Sequence, residues 1–232
     1  MPNHIGIIMD GNRRYAKEFL GDDIDEGHRA GERKIRELLD WCLDLKIRYI
    51  TVYAFSSENF SRGEDEVSFL MGMAADSIRE IADDERIVNN HVRIRVLGNR
   101  ELLPESVRES IEYCESKTAA FSDFTFSICL AYGGRQEIIS AVQSIARKVQ
   151  AGEISPEDID EDMLSQHLYT SDIPDPDLIL RTSGEIRISN FLLWQLAYSE
   201  LYFTDIYWPG FRRIDLMRAI RSYQARVRRY GR

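Results

Sequence analysis

Cysteine is scarce in this chain and badly placed for cross-linking. Cys42, Cys114 and Cys129 are the only three, the number is odd, and no CxxC pair occurs, which argues against a disulfide framework or a cysteine zinc site. Histidine is limited to His4, His28, His91 and His167, with no two at metal-ligand spacing on one helical stretch. Long apolar runs are missing as well. Ile5 to Met9 and Ile47 to Phe55 are short or interrupted, whereas a membrane-spanning helix needs about 20 apolar residues. The first residues read as a strand rather than as a charged segment followed by an apolar one, so a cytoplasmic protein is expected. Neither GxxxxGK[ST] nor GxGxxG occurs, which argues against P-loop and dinucleotide-binding chemistry. Internal repeats and low-complexity segments are absent too.

What is present describes a globular α/β chain. With 232 residues, 44% hydrophobic and 30% charged, a single domain over 1–232 with a substantial core is expected. The formal charge of −9 is uneven, because the last 21 residues carry eight arginines against Asp215 alone. These arginines are spread at helical spacing with few aromatics among them, so nucleic-acid binding is not expected. A protein surface or a diphosphate suits them better.

Apolar β-branched runs alternate with amphipathic stretches, the pattern of parallel strands joined by helices. The expected strands are His4–Met9, Tyr49–Phe55, Val92–Leu97, Phe124–Ala131, Leu178–Arg181 and Leu201–Thr204. The expected helices are Ala30–Lys46, Glu64–Asp84, Pro104–Ala120, Arg135–Gln150, Glu161–His167, Phe191–Leu196 and Ile214–Arg229. Such strands form one sheet covered on both faces.

Ligands of these sheets bind beyond the carboxyl ends of the strands. Polar clusters follow four of the expected strands: Asp10 to Arg14, Ser56 to Arg62, Tyr132 to Arg135, and Arg181 to Ser189. Gly11 and Asn12 allow backbone N–H groups to approach an anion at a helix start. Arg14, Arg62, Arg181 and Arg187 supply forked donors for phosphate oxygens. Asp10 would repel a phosphate, so a carboxylate there implies a bridging Mg²⁺. Singly, Asp-Gly-Asn is also a common turn and helix cap, and Gly133-Gly134 a packing turn. Repetition of the same chemistry at successive strand ends favours a magnesium–diphosphate site.

The same clusters resemble the cis-prenyltransferase family. The matching stretches are His4 to Asn12, Gly27 to Gly31, Tyr53 to Asn59, Asp177 to Glu185, Arg187 to Gln195 and Tyr198 to Phe203. The resemblance implies a mainly parallel six-stranded sheet with helices around an apolar tunnel, Mg²⁺ and a homodimer. It implies cis-prenyl transfer from an allylic diphosphate to isopentenyl diphosphate, giving a short- or medium-chain polyprenyl diphosphate. Asp10 would hold the metal and assist departure of the diphosphate, with Glu200 as a second ligand. Gly11, Asn12, Arg13, Arg14 and Tyr15 would line the allylic diphosphate pocket, with His28 nearby. Asn59 would act with Ser56 in proton removal and positioning, on a substrate-facing loop that includes Ser57, Glu58, Phe60 and Arg62. Arg181, Arg187, Ile188 and Ser189 would hold isopentenyl diphosphate. Arg229 and Gly231 would reach the neighbouring subunit's site.

The chain departs from the family pattern in places. Arg13 stands where a glycine is common, Tyr15 and Phe60 where tryptophan is common, and Ile24 where an arginine is common. Ile186 replaces a residue that is histidine in some members. These changes leave open an acceptor other than isopentenyl diphosphate, and a non-catalytic supporting subunit is a further alternative. The acidic run Asp22 to Glu26 superficially matches the metal motif of trans-prenyltransferases, but that class is all-helical, and a solvated acidic loop is expected instead. Phe124 is expected to close the far end of the tunnel.

Overall fold

The computed structural model describes residues 1–226. Its six strands are β1 (His4–Ile8), β2 (Tyr49–Ser56), β3 (Val92–Leu97), β4 (Phe124–Tyr132), β5 (Leu178–Arg181) and β6 (Glu200–Phe203). They form one sheet in the order β3-β4-β2-β1-β5-β6. Every pairing is parallel, so the expected mainly parallel sheet is in fact wholly parallel. The helices are α1 (Asn12–Phe19), α2 (Ile24–Asp44), α3 (Glu64–Asp83), α4 (Glu85–Asn89), α5 (Glu105–Thr118), α6 (Gly134–Gln150), α7 (Glu161–Gln166) and α8 (Arg213–Ala225).

Alternation along the strands divides the core. Ile5, Ile7, Val52, Ile94, Val96 and Phe126 pack into the larger cluster, joined by apolar residues of α2, α3, α5 and α8. Ile8, Tyr53, Cys129 and Ile179 project to the other face, where Phe191 and Leu192 cover them. Cys42, Cys114 and Cys129 are buried free thiols, and burial pushes Cys42 and Cys114 up to about 12. No helix among the described residues is long and apolar enough to cross a membrane.

Three elements differ from expectation. α2 begins at Ile24, because Asp23 caps it by accepting from Glu26 N at 3.0 Å. The run Asp22 to Glu26 is therefore a cap and a first turn rather than a loop. α1 is absent from the expected helices, being only eight residues long, although it begins where a helix start was expected at Gly11 and Asn12. The expected helix Phe191–Leu196 does not form. Ser189, Asn190 and Leu192 have positive φ (47°, 65° and 43°), and this stretch folds as turns that bury Phe191 and Leu192.

Candidate active site

β1 lies between β2 and β5, and its register aligns Ile8 with Tyr53 and with Arg181. Asp10, the Ser56–Arg62 loop and the turn after Arg181 therefore emerge along one edge of the sheet, where the direction of strand winding reverses. Gly11 leads the chain into α1 with φ 109°, a conformation suited to glycine. A side chain there would also meet Tyr207 at 3.0 Å and Ser183 at 3.1 Å.

Asp10 is held on every side. Thr182, fully buried, accepts from Asp10 N at 2.9 Å through Oγ1 and donates to Asp10 O at 2.7 Å. Asp10 Oδ2 takes Arg181 Nη2 at 2.8 Å, and Oδ1 takes Arg14 Nη2 at 3.3 Å. Arg181 is 4% exposed, and its other nitrogen donates to Ser189 Oγ at 2.8 Å and to the Arg187 carbonyl. Arg14 also reaches Ser183 O at 3.1 Å and Glu185 Oε1 at 3.0 Å, and Glu185 is shared with Arg187. Buried Arg181 Nε and Asn12 Oδ1 have no protein partner among the described residues. The arrangement presents forked donors around one carboxylate, at a position where an oxyanion could replace carboxylate oxygens.

Below this polar rim lies a cavity of about 610 Å³. Its mouth includes Asp10, Gly11, Asn12, Arg13, Arg14, His28, Ser56, Asn59, Arg62, Arg181, Arg187 and Ser189. Beyond the mouth the lining is mainly apolar, with Ile35 of α2, Leu70, Met71 and Ile78 of α3, and Phe126 and Ile128 of β4, and it includes Glu32 and Arg36 of α2 and Ser77 of α3. Phe124, the first residue of β4, is absent from this lining and packs against the core instead. Asn59 is fixed by a reciprocal cap in which Ser56 N donates to Asn59 Oδ1 at 3.1 Å.

Several sequence-selected residues stand outside the cavity lining. Tyr15 lies tilted against Phe19, with ring centroids 5.0 Å apart, and Phe60 packs edge-on against Phe55 at 4.9 Å. Ser57 donates to Glu58, which accepts from Asn190 Nδ2 at 2.8 Å. Ile188 is half-buried. Glu200 is apart altogether. It starts β6 opposite Leu178, at the amino edge of the sheet, and pairs with Arg226 at 2.6 Å. No group of three or more His, Cys, Asp or Glu gathers around a metal position among the described residues. Arg229 and Gly231 lie outside the described residues. Thr182 and Glu185 fall within the Arg181 to Ser189 cluster but had no role assigned to them, and Glu66 lay outside every cluster, its local signal being the i,i+4 spacing from Arg62.

Residues 8–231 match the family described as "Putative undecaprenyl diphosphate synthase". The chain belongs to this prenyltransferase family. It is 54% identical over 233 residues to the tritrans,polycis-undecaprenyl-diphosphate synthase (geranylgeranyl-diphosphate specific) of Methanocaldococcus jannaschii, covering 100% of this chain and 83% of that protein. It is 52% identical to the enzyme of the same name from Thermoplasma volcanium, covering 100% of this chain and 89% of the relative. Among solved structures, lavandulyl diphosphate synthase from Lavandula x intermedia, in complex with dimethylallyl diphosphate, superposes with a TM-score of 0.93. That protein is 37% identical, and the match covers 100% of this chain and 98% of that one. The α/β fold with its parallel sheet is thus shared with a solved prenyl diphosphate synthase structure.

Proposed function

We propose that the chain extends an allylic prenyl diphosphate with isopentenyl diphosphate units in cis geometry. The starter is geranylgeranyl diphosphate and the product a medium-length polyprenyl diphosphate, as the names of the relatives at 54% and 52% identity indicate. The observation that carries this reading is Asp10 bridged between Arg14 and Arg181 at the rim of a deep apolar cavity. One end of such a site suits a diphosphate and the other a hydrocarbon tail.

Gly11, Asn12, Arg13, Arg14 and His28 hold the allylic diphosphate, while Arg181, Arg187 and Ser189 hold isopentenyl diphosphate. The allylic C–O bond breaks, and the diphosphate leaves with the electron pair. The double bond of isopentenyl diphosphate attacks the allylic carbon, and loss of a proton forms the new double bond. The arginines offset the charge that grows on the leaving group, and Asn59, locked by Ser56, positions the reacting diphosphates.

The donor chemistry fits Mg²⁺, which binds through one or two carboxylates together with substrate phosphates rather than in an all-protein cage. Asp10 would hold it, and the ion would neutralise diphosphate charge. Glu200 could join Asp10 only from a second chain, since its own strand places it at the opposite sheet edge. The reading therefore includes a homodimer whose carboxyl-terminal Arg229 and Gly231 approach the partner's site.

Purified protein incubated with Mg²⁺, labelled isopentenyl diphosphate and geranylgeranyl diphosphate should give elongated products. A second incubation with dimethylallyl diphosphate as the sole substrate tests the non-isopentenyl acceptor, and product from that arm alone would replace this proposal.

A further inference from the structure

Glu66 stands in the first turn of α3 and takes no part in the roles above. Its carboxylate nevertheless gathers side chains from three places. Glu66 Oε1 lies 3.1 Å from His28 Nε2 on α2, 3.0 Å from Arg62 Nη1 just before α3, and 3.9 Å from Arg13 Nε on α1. All three partners line the cavity mouth, and Glu66 is set behind them.

The charge states follow from these contacts. Burial alone would push Glu66 up, but the His28 hydrogen bond and the charges of Arg62 and Arg13 outweigh it. Its carboxyl is held below the usual range. His28 faces Glu66, Arg62 and, from its own helix, Asp25. Burial lowers its pKa more than the two acids raise it. His28 is therefore neutral near pH 7, and because a carboxylate only accepts, the ring proton sits on Nε2.

Arg13 and Arg62 would repel each other without a shared anion. The geometry points to Glu66 as a counter-ion that competes with the substrate diphosphate for Arg13, Arg62 and His28. The inference rests on the diphosphate reading above. One carboxylate oxygen serves three donors poorly, and Arg13 at 3.9 Å is beyond hydrogen-bond distance. A diphosphate offers more oxygens and more charge, so it takes the cations over. When diphosphate departs, Glu66 reclaims them. Glu66 thus lowers affinity for the diphosphate and speeds its release. It is a positioning residue, and it gives Arg13, which stands where the family commonly has glycine, a partner shared with His28.

The test titrates inorganic pyrophosphate calorimetrically into the full-length protein and its Glu66→Gln and Glu66→Asp variants, in a magnesium-containing buffer. Glu66→Gln should bind about threefold to tenfold more tightly, since a neighbouring negative charge is removed. Glu66→Asp, with its carboxylate drawn back by one methylene, should fall between. In steady state Glu66→Gln should lower both kcat and KM for the allylic substrate. The His28 ring, followed by NMR before substrate is added, should titrate at lower pH in Glu66→Gln. Unchanged or weaker pyrophosphate binding in a Glu66→Gln protein with a normal melting temperature overturns the counter-ion role. If that variant does not fold, unchanged or weaker binding by Glu66→Asp overturns it instead. Wild-type protein that binds no pyrophosphate refutes the diphosphate reading itself, and the inference falls with it.

Discussion

At the scale of single residues, Asp10 carries two burdens that separate experimentally. It is clamped between Arg14 and Arg181 on the rim, and it is also the counter-charge of Arg181, which is 4% exposed. Deleting one partner of a buried ion pair costs about 3–5 kcal/mol, so Asp10→Ala confounds chemistry with stability. Asp10→Asn keeps an acceptor for Arg181 and removes the charge. It is expected to melt within a few degrees of wild type while turnover falls on the order of a thousandfold. Near-normal turnover of Asp10→Asn at saturating Mg²⁺ would remove Asp10 from the chemistry. Arg187, exposed and proposed to hold the acceptor, should behave differently. Arg187→Ala should raise KM for isopentenyl diphosphate well above its effect on the allylic substrate, and Arg187→Lys should rescue only in part, lacking the fork. Equal damage to both KM values contradicts separate pockets. Asp10 and Arg181 were legible in the sequence because Asp10 directly follows an expected strand and Arg181 ends one. Their contact was not, because it joins residues 171 apart and depends on β1 and β5 being neighbours. Thr182 escaped for the same reason, its hydroxyl serving a backbone that only the sheet brings near.

At the scale of elements, the strands were read more accurately than the turns between them. Strand boundaries follow from runs of apolar β-branched residues, which the parallel sheet buries on both faces. The stretch Phe191 to Leu196 has an apolar content that suits a helix, but positive φ at Ser189, Asn190 and Leu192 bends it so that Phe191 stacks on Tyr53 at 4.8 Å. Tertiary packing overrides propensity there. The same applies to Phe124. Alternation correctly grouped it with Phe126 and Ile128, but only the latter two reach the cavity. Phe126→Ala is therefore the substitution expected to lengthen the product, at a cost of about 3–5 kcal/mol in stability. Chromatography of the product together with a melting curve on the same sample checks it, and an unchanged length from folded protein contradicts it.

His4 gives an element-scale prediction for pH. Its Nδ1 faces Pro174 O at 2.6 Å and so carries the proton, and Nε2 accepts from Thr51 at 2.8 Å. The ring ties the start of β1 to the segment before β5. Burial lowers its pKa from 6.5 to about 4. Between these values the unfolded chain binds the proton and the folded chain does not. The neutral form's contribution is therefore complete above pH 6.5 and declines as pH falls toward 4, by about 3 kcal/mol in all. Denaturant melts of wild type and His4→Gln across that window should show a steeper loss in wild type, and parallel curves would contradict it.

At the scale of the whole molecule, the site is assembled from one sheet edge, and Glu200 is not beside it. Glu200 lies at the opposite edge, held by Arg226, so any part it plays at Asp10 belongs to a second chain. Mixing Asp10→Asn protein with Glu200→Gln protein should then restore activity through hybrid dimers, each holding one intact site. A mixture no more active than its two components would place the whole site within a single chain.

Cis chain extension requires this molecule to join a diphosphate-binding rim to a hydrocarbon-binding cavity. The measurement that meets it most directly is product analysis from wild-type protein supplied with Mg²⁺, labelled isopentenyl diphosphate and an allylic panel that includes geranylgeranyl diphosphate. Label is expected in polyprenyl diphosphates with newly formed cis double bonds, abolished by Asp10→Asn. Labelled products carrying only trans double bonds, or no incorporation with any allylic partner, would contradict it.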